Sequence, residues 1–147
     1  MKVLGRMTGV TEMRNKLREI AVKFPDRVAA AIFQEASIEL TESKRRCPVS
    51  PTAAQAKAMG RSITKGTVPG TLRASGTVHE PMRSGSNISV TMSYGGAAAD
   101  YVIPQHERAD FQHTTGQAFF LSSVLNESRP YMAGRIAARV HFNKARA

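Results

Sequence analysis

Four side chains capable of metal or acid–base chemistry lie close together in the sequence: His106, Glu107, Asp110 and His113. Imidazole and carboxylate groups both bind divalent metals, so the cluster is a candidate metal site. A helical metal pair needs a separation of four residues so that both rings share a face, as in H-E-x-x-H. His106 and His113 are seven residues apart, which favours a polar loop that contacts its own backbone or a neighbouring subunit. A loop can still bring the rings together, so a metal-dependent hydrolase with stoichiometric bound metal stays one hypothesis.

The sequence contains no motif for any other catalytic chemistry. There is no nucleophile elbow, Walker loop or dinucleotide fingerprint, and the paired glycines at 95–96 are turn residues rather than a phosphate cradle. Cys47 is the one cysteine, which excludes an internal disulfide and a cysteine-based zinc site. We interpret it as a small core residue of a protein made in a reducing cytoplasm. The sequence thus predicts no enzyme, no catalytic residue, no metal and no cofactor.

The charge balance is the unusual property of the composition. Twenty-one Lys and Arg residues oppose eleven acids, which gives a net charge of +10. A basic surface usually faces nucleic acid, and an acidic neighbouring subunit is the other candidate. With no Trp and few other aromatic residues, base stacking is poorly supplied. Any nucleic-acid contact would be salt-sensitive phosphate neutralisation without sequence preference.

Length and hydropathy indicate one domain, residues 1–147. A chain of this size buries one core, and 41% hydrophobic residues are ordinary for a globular protein. No apolar run approaches the roughly 20 residues that span a bilayer, and no apolar segment follows Lys2 and Arg6 to form a signal peptide. We therefore expect no membrane association.

Helical periodicity dominates the first third of the chain. An apolar pattern from Leu17 to Phe24 is interrupted by Pro25, and a strongly helical stretch follows over 26–46. The spacing predicts two helices or a kinked one, ended by Pro48. Three bases close the helix at 44–46, and they serve equally well as a dipole-matched cap or as a nucleic-acid contact.

A long basic loop or arm, about residues 50–70, follows this helix. It is rich in Pro and Gly and contains one Ala-rich piece that can form a short helix. Loops of this length inside a compact domain are usually functional or disordered. We interpret it either as a floppy surface insertion or as an arm that becomes ordered against a neighbour or DNA.

Strand patterns come next, and a helix follows them. Residues 72–78 and 87–94 alternate and are joined by turn residues at 80–86, which predicts a hairpin. Residues 100–104 read as a third short strand. An apolar stripe from Ala118 predicts a C-terminal helix with a restart at Ser128 and Pro130, and at least one of Phe119 and Phe120 belongs to the core. The predicted fold class is α+β, with a small antiparallel sheet packed by a long N-terminal helix and a C-terminal helix.

From about Leu17 to Val140 the chain resembles the head–tail connector or tail-completion (neck) proteins of long-tailed phages. The resemblance rests on the order and spacing of several short matches rather than on one motif. Cys47-Pro48-Val49 closes the first helix, 70–75 (GTLRAS) is a glycine turn with an arginine-bearing strand, and Tyr101 precedes His106-Glu107 and 117–121 (QAFFL). The family runs almost directly from Pro-Val into the glycine turn, whereas about twenty residues, 50–69, intervene here.

The resemblance implies a structural virion protein without enzymatic activity. Copies would form a ring, six favoured by tail symmetry and twelve matching the portal, between a neighbouring neck or head-completion protein and the tail tube protein. The ring would leave a channel for duplex DNA, in the virion neck after assembly in the host cytoplasm. Candidate inter-subunit or channel contacts are Lys57, Arg61, Lys65, Arg73, His106, Glu107 and Arg108. The main rival is a basic, sequence-independent nucleic-acid-binding protein.

Overall fold

The computed structural model describes residues 10–63, 68–110, 113 and 115–140. The described part is α+β, as predicted, and most of it is helical. In chain order its elements are α1 (Val10–Arg46), α2 (Ala53–Ala58), α3 (Thr71–Ala74), β1 (Thr77–Val78), β2 (Met82–Ser84), β3 (Asn87–Ser89), β4 (Met92–Ser93), a 3₁₀ turn (Gly96–Ala98), α4 (Ala99–Glu107) and α5 (Ser122–Arg139). None of these helices is long and apolar enough to cross a membrane.

Helix α1 is a single helix of 37 residues, about 55 Å long. Of the two alternatives predicted at Pro25, two separate helices is wrong, because Pro25 lies inside one helix. Proline removes one backbone hydrogen bond, and the turns that follow it are held by tertiary packing of Ala29, Ala36 and Leu40, which are all buried. The bases at 44–46 occupy the last turn, as predicted.

Helix α5 packs antiparallel on the second half of α1. Arg46 near the end of α1 pairs with Glu127 early in α5, and Glu35 pairs with Arg139 at the end of α5. The predicted restart at Pro130 is wrong, because α5 runs through it without a break. The helix also begins at Ser122, later than predicted, because Phe119 has a left-handed backbone with φ of 54°.

Residues 77–93 form one irregular antiparallel ribbon. β1 pairs with β4 (Thr77 opposite Ser93), and β2 pairs with β3 (Ser84 opposite Asn87). The His79 amide donates to the Thr91 carbonyl at 2.8 Å and links the two pairs. The predicted hairpin is confirmed, although part of its predicted turn is strand β2 and the chain reverses at residues 85–86.

Two segments predicted as strands are helical. Only the end of 72–78 forms a strand, because 71–74 is α3, and the whole of 100–104 lies in α4. Val102 and His106 of α4 point toward the core, and so does Ala98, which immediately precedes the helix at the same four-residue spacing and is fully buried. A short run of three apolar residues fits either period, and tertiary packing selected the helical one.

The core lies where α1, α3, α4 and the start of α5 meet. Its buried members are Cys47, Leu72, Ala98 and Phe120, and Tyr94 packs edge-on against Phe120 with ring centroids 5.0 Å apart. The predicted core roles of Cys47 and of one of the two phenylalanines are confirmed, since neither Cys47 nor Phe120 has exposed surface.

Candidate functional site

The C-terminal end of α1 is the point on which the later segments converge. Its terminal carbonyls lack helical partners and need donors from elsewhere. The Gln117 amide donates to the Arg46 carbonyl at 2.9 Å, and Arg73 Nη2 donates to the Cys47 carbonyl at 3.0 Å. Gly116 lies against the same turn, so closely that a Cβ on it would be 2.6 Å from Pro48 N. This close backbone approach fixes the segment before α5 on the end of α1.

Arg73, a predicted channel or subunit contact, faces inward. Its side chain extends from α3 to the Cys47 carbonyl, and its Nε is buried with no hydrogen-bond partner among the described residues. Burial raises the pKa of the neighbouring Cys47 thiol to about 11, and the charge on Arg73 opposes that shift. The geometry gives Arg73 a capping role at the end of α1.

A network of ion pairs joins α1 to α5. Glu35 and Glu39 are almost completely buried, one turn apart on α1. Arg135 bonds both carboxylates at 2.6 Å, Arg139 bonds Glu35 at 2.5 Å, and Ser128 donates to Glu39 at 2.7 Å. Burial acts to raise the pKa of Glu35, but the hydrogen bonds from the two arginines outweigh it and the pKa is lowered. Sequence reasoning missed this network, although its acids and arginines both have helical four-residue spacing.

Arg46 belongs to the same helix contact. Its two Nη atoms bond the two carboxylate oxygens of Glu127 at 2.7 and 2.8 Å, and its Nε bonds Glu42 at 3.1 Å. These hydrogen bonds raise the pKa of Arg46 and lower that of Glu127. Of the two readings of the basic cluster at 44–46, the geometry of Arg46 fits the structural one.

His106, Glu107 and Arg108 lie together at the end of α4. His106 Nδ1 is 2.6 Å from a Glu107 oxygen, and its Nε2 accepts from the Ser122 amide at 3.4 Å. Its ring packs edge-on against Phe120 with centroids 4.8 Å apart. Since an amide proton points at Nε2, the Nδ1 atom carries the ring proton and donates it to Glu107.

The candidate metal cluster of the sequence is not assembled in the described part of the chain. Both nitrogens of His106 are engaged, and Arg108 pairs with Asp110 at 2.5 Å. His113 lies elsewhere, on the wall of a cavity. No group of three or more His, Cys, Asp or Glu side chains that could hold a metal occurs among the described residues.

That cavity has a volume of about 140 Å³ and lies between the α1–α2 connection, the start of α3, and α4. Its apolar lining includes Pro48, Val49 and Pro51. Arg61, Gln105, His113 and Tyr101 also line it. No carboxylate lines it among the described residues. The Nε2 atom of His113 is itself buried and has no hydrogen-bond partner in the described structure.

The described part of the arm folds locally. Helix α2 forms as predicted and begins with a capping box in which Thr52 and Gln55 exchange side-chain and backbone hydrogen bonds. Lys57 is exposed on α2, and exposed Arg61 bonds through its amide to the Ala56 carbonyl and lines the cavity. Lys65, the third predicted arm contact, lies outside the described residues.

The first half of α1 extends beyond its contacts with α5. The pairing of Glu35 with Arg139 marks the end of α5, and Asp26 forms an ion pair with Arg83 of the ribbon. Before that point, Leu17 is 59% exposed and Val22 is 72% exposed. Apolar side chains on this part of α1 are thus available at the surface of the described molecule.

Comparisons with known proteins identify no relative. The chain matches no protein-family model, and no curated protein and no solved structure resembles it significantly.

Proposed function

We propose that this protein is a structural subunit of a phage neck, which assembles as a ring between the head or portal complex and the tail tube and leaves a channel for DNA. The observation that carries the proposal is the extension of α1. From Val10 to Asp26 the helix advances about 24 Å past its ion pair with the ribbon. Helices in water are held mainly by packing of an apolar face, so this extension suits contact with a neighbouring subunit.

The extension of α1 exposes more than one apolar side chain. Leu17 and Val22 both expose more than half of their surface, whereas the second half of α1 buries Ala29, Ala36 and Leu40. One helix thus combines a half that packs within the chain with a half that offers apolar contacts outward. A subunit that contributes one helix to its neighbour has this distribution.

The β-ribbon supports assembly in a second way. Each of its two strand pairs has only two strands among the described residues, so the outer backbone edges have no strand partner there. Met82 on β2 is 71% exposed beside such an edge. Edge strands pair readily with another chain, and a head-to-tail contact of this kind closes into a ring when the rotation between subunits permits.

The distribution of charge suits a DNA channel. At least seven of the eleven carboxylates form ion pairs with Lys or Arg, so the positive excess resides on other bases. Exposed bases occur on separate elements, including Arg14 and Lys16 on α1, Lys57 on α2 and Arg129 on α5. Dispersed charge gives weak, sequence-independent attraction to phosphates, which permits DNA to pass.

A basic nucleic-acid-binding protein is the second candidate function, and the net charge of +10 is the observation that favours it. It predicts tight binding to duplex DNA at low protein concentration, with an affinity that falls steeply with salt and without ring formation. Ring formation separates the two candidates.

The first experiment is electron microscopy of the concentrated protein at moderate salt, with mass photometry of the same sample. Closed rings with an open lumen are expected, and their symmetry gives the copy number, six or twelve. Leu17→Glu/Val22→Glu should abolish the rings, whereas Ile38→Glu, a matched change of an exposed residue on the packed half of α1, should preserve them. Rings that persist in the double variant would refute the role of the α1 extension. If the wild-type protein shows only small particles and binds DNA tightly, the second candidate is favoured.

A further inference from the structure

We propose that the outward face of α4 is the surface that receives the α1 extension of a neighbouring copy of this protein. The inference rests on the proposed ring function, in which a neighbouring subunit contacts the extension, and it names the surface on that neighbour. The outward face of α4 carries Asp100, Ile103 and Glu107. The two surfaces have opposite charge, both expose apolar side chains, and they lie at opposite ends of the molecule.

Helix α4 exposes an acidic face with an apolar side chain at its centre. Asp100, Ile103 and Glu107 are three and four residues apart, so they share one side of the helix, opposite Val102 on the core. Ile103 is 68% exposed. Residues 99–107 contain no Lys or Arg, although the whole chain has a net charge of +10. This helix is therefore an exposed negative surface on a strongly basic protein.

Both carboxylates of this face keep a negative charge for a partner. Asp100 is exposed and pairs with no described residue. Glu107 is exposed as well, and one of its oxygens accepts a hydrogen bond from His106 Nδ1 at 2.6 Å. Because this imidazole is neutral, the bond does not cancel the charge of Glu107, and no described residue bonds its second oxygen. The next base along the chain, Arg108, already pairs with Asp110.

The α1 extension has the complementary surface. Arg14 and Arg18 are one turn apart and exposed, and neither pairs with a described residue. Arg14 adjoins exposed Leu17 at a spacing of three residues, and Arg18 adjoins exposed Val22 at a spacing of four. Like charges one turn apart on a helix repel each other, and carboxylates of a neighbour would relieve that repulsion.

The other charges near the middle of the extension lie on its opposite side and compensate one another. Glu12, Lys16, Glu19 and Lys23 follow at spacings of four, three and four residues, which places them on one stripe of the helix with alternating sign. Glu19 and Lys23 form an ion pair at 2.6 Å. The unpaired positive charge thus lies on the side that also exposes the two apolar residues.

The two surfaces are too far apart to meet within one copy. The core residues of α4 pack with Cys47, directly after the C-terminal end of α1. Along α1, Leu17 lies roughly 44 Å from Arg46. A contact between the surfaces must therefore join different copies, and each copy would give its extension to one neighbour and its α4 to another. Such head-to-tail contacts close into a ring when the rotation between subunits permits, and otherwise continue as a filament.

The same charges disfavour other occupants of the α4 face. Duplex DNA is a dense array of phosphates, which the two carboxylates repel. A pairing of two α1 extensions through their apolar sides would bring Arg14 and Arg18 of one copy against the same arginines of the other. A second copy that offers its extension to α4 satisfies both surfaces.

The test exchanges the charges of the two surfaces in the full-length protein, with mass photometry and electron microscopy as measurements. Variant A is Arg14→Glu/Arg18→Glu, and variant B is Asp100→Lys/Glu107→Lys. In either variant alone like charges face each other at every contact, so half-assembly should need at least about a tenfold higher concentration than in the wild type. In an equimolar mixture, each extension meets an oppositely charged α4 on the other variant, so rings of alternating variants should form.

Controls separate the contact from net charge and from folding. Lys16→Glu/Arg129→Glu changes the net charge as much as variant A does, but at exposed positions outside the contact, and it should assemble like the wild type. Circular dichroism and unfolding midpoints establish that each variant folds. Asp100→Lys places a positive charge at the N-terminal end of α4, which the helix dipole disfavours. If variant B has a lowered midpoint, Ile103→Lys/Glu107→Lys takes its place.

Two outcomes would overturn the proposal. One is assembly of variant A or variant B alone at the concentration that suffices for the wild type, and the other is an equimolar mixture that associates no better than its components. Failure of this contact is distinguishable from failure of the ring function. Wild-type rings that persist in both variants refute the contact alone, whereas a mixture that associates into open filaments supports the contact and refutes the ring.

Discussion

A substitution at Gly116 is the most direct test of how the segment before α5 packs on the C-terminal end of α1. Its φ of +81° is in the left-handed region, and a Cβ there would be 2.6 Å from Pro48 N, 2.7 Å from the Arg46 oxygen and 2.7 Å from the Cys47 carbonyl carbon. All three are backbone atoms, which cannot rotate away as a side chain can. Gly116→Ala must therefore move the segment off the end of α1.

The expected loss can be built from separate contributions. The left-handed backbone costs alanine about 1–2 kcal/mol. Displacing the segment breaks the hydrogen bond from the Gln117 amide to the Arg46 carbonyl, which contributes about 1 kcal/mol, and loosens packing around it. We expect Gly116→Ala to lower the free energy of unfolding by about 3–5 kcal/mol, which corresponds to roughly 10 °C in the thermal midpoint.

Substitutions at two other glycines separate the contribution of the left-handed backbone from that of the close contacts. Gly85 also has positive φ, +59°, but a Cβ on it would meet nothing within 4 Å, so Gly85→Ala should cost only the backbone contribution of about 1–2 kcal/mol. Gly134 lies inside α5 in open space, so Gly134→Ala should stabilise the protein by about 0.5–1 kcal/mol. Urea unfolding followed by circular dichroism measures all three. If Gly116→Ala costs no more than Gly85→Ala, the close approach of Gly116 to the end of α1 is refuted.

Three further predictions use the same assays or simple chemistry. The lowered pKa of Glu35 means that this carboxylate binds its proton more tightly in the unfolded protein. The stabilisation from this group is therefore present above the unfolded pKa near 4.5 and is lost as pH falls through the folded value. Acid unfolding of Glu35→Gln should lack this part of the pH dependence, and an unchanged profile would contradict the buried pairing with Arg135 and Arg139. Reversing the charges of Lys57, Arg61 and Lys65 should leave circular dichroism unchanged but impair head–tail joining in a phage assembly assay, and normal particle yield would defeat the role of the arm. Cys47 has no exposed surface and a pKa raised to about 11, so its thiol should resist a disulfide reagent in the native protein and react quickly in urea, whereas fast native reaction would show that the core opens there.

The sequence predicts long-period features of this fold well. The helical pattern of 26–46, the C-terminal helix and the alternation of Ile88, Val90 and Met92 each repeat over enough residues to identify their period. The core position of Cys47 follows instead from its being the one cysteine of the chain. These are the parts in which local pattern and tertiary packing agree.

The wrong secondary-structure predictions concern segments whose local sequence pattern is short or fits two structures. Tyr101-Val102-Ile103 fits a strand or a helix, and the choice depends on Ala98 and His106 reaching the core together, which no local pattern records. A second helix at Pro25, one of the two alternatives there, and a restart at Pro130 were predicted because proline removes a donor, but packing and pairing along α1 and α5 outweigh one lost bond.

The candidate site is harder still to obtain from sequence. Arg73 and Arg61 look alike as basic residues of one loop region, yet the first caps a buried carbonyl and the second lines a cavity. Spacing alone groups His113 with His106, and only the tertiary fold separates them. Such distinctions depend on direction and burial, which residue types and spacing do not specify.

The position of Pro25 on α1 affects how the two halves of the helix open. It lies at the boundary between the half of the helix that packs on the chain and the half that extends beyond the ribbon. Because proline omits one hydrogen bond at that boundary, opening of the first turns need not propagate into the second half. The extension can then exchange its amide protons quickly while residues 29–46 exchange slowly. A neighbour that orders the extension would supply the free energy of that local transition, and binding of the neighbour would thereby be coupled to helix formation.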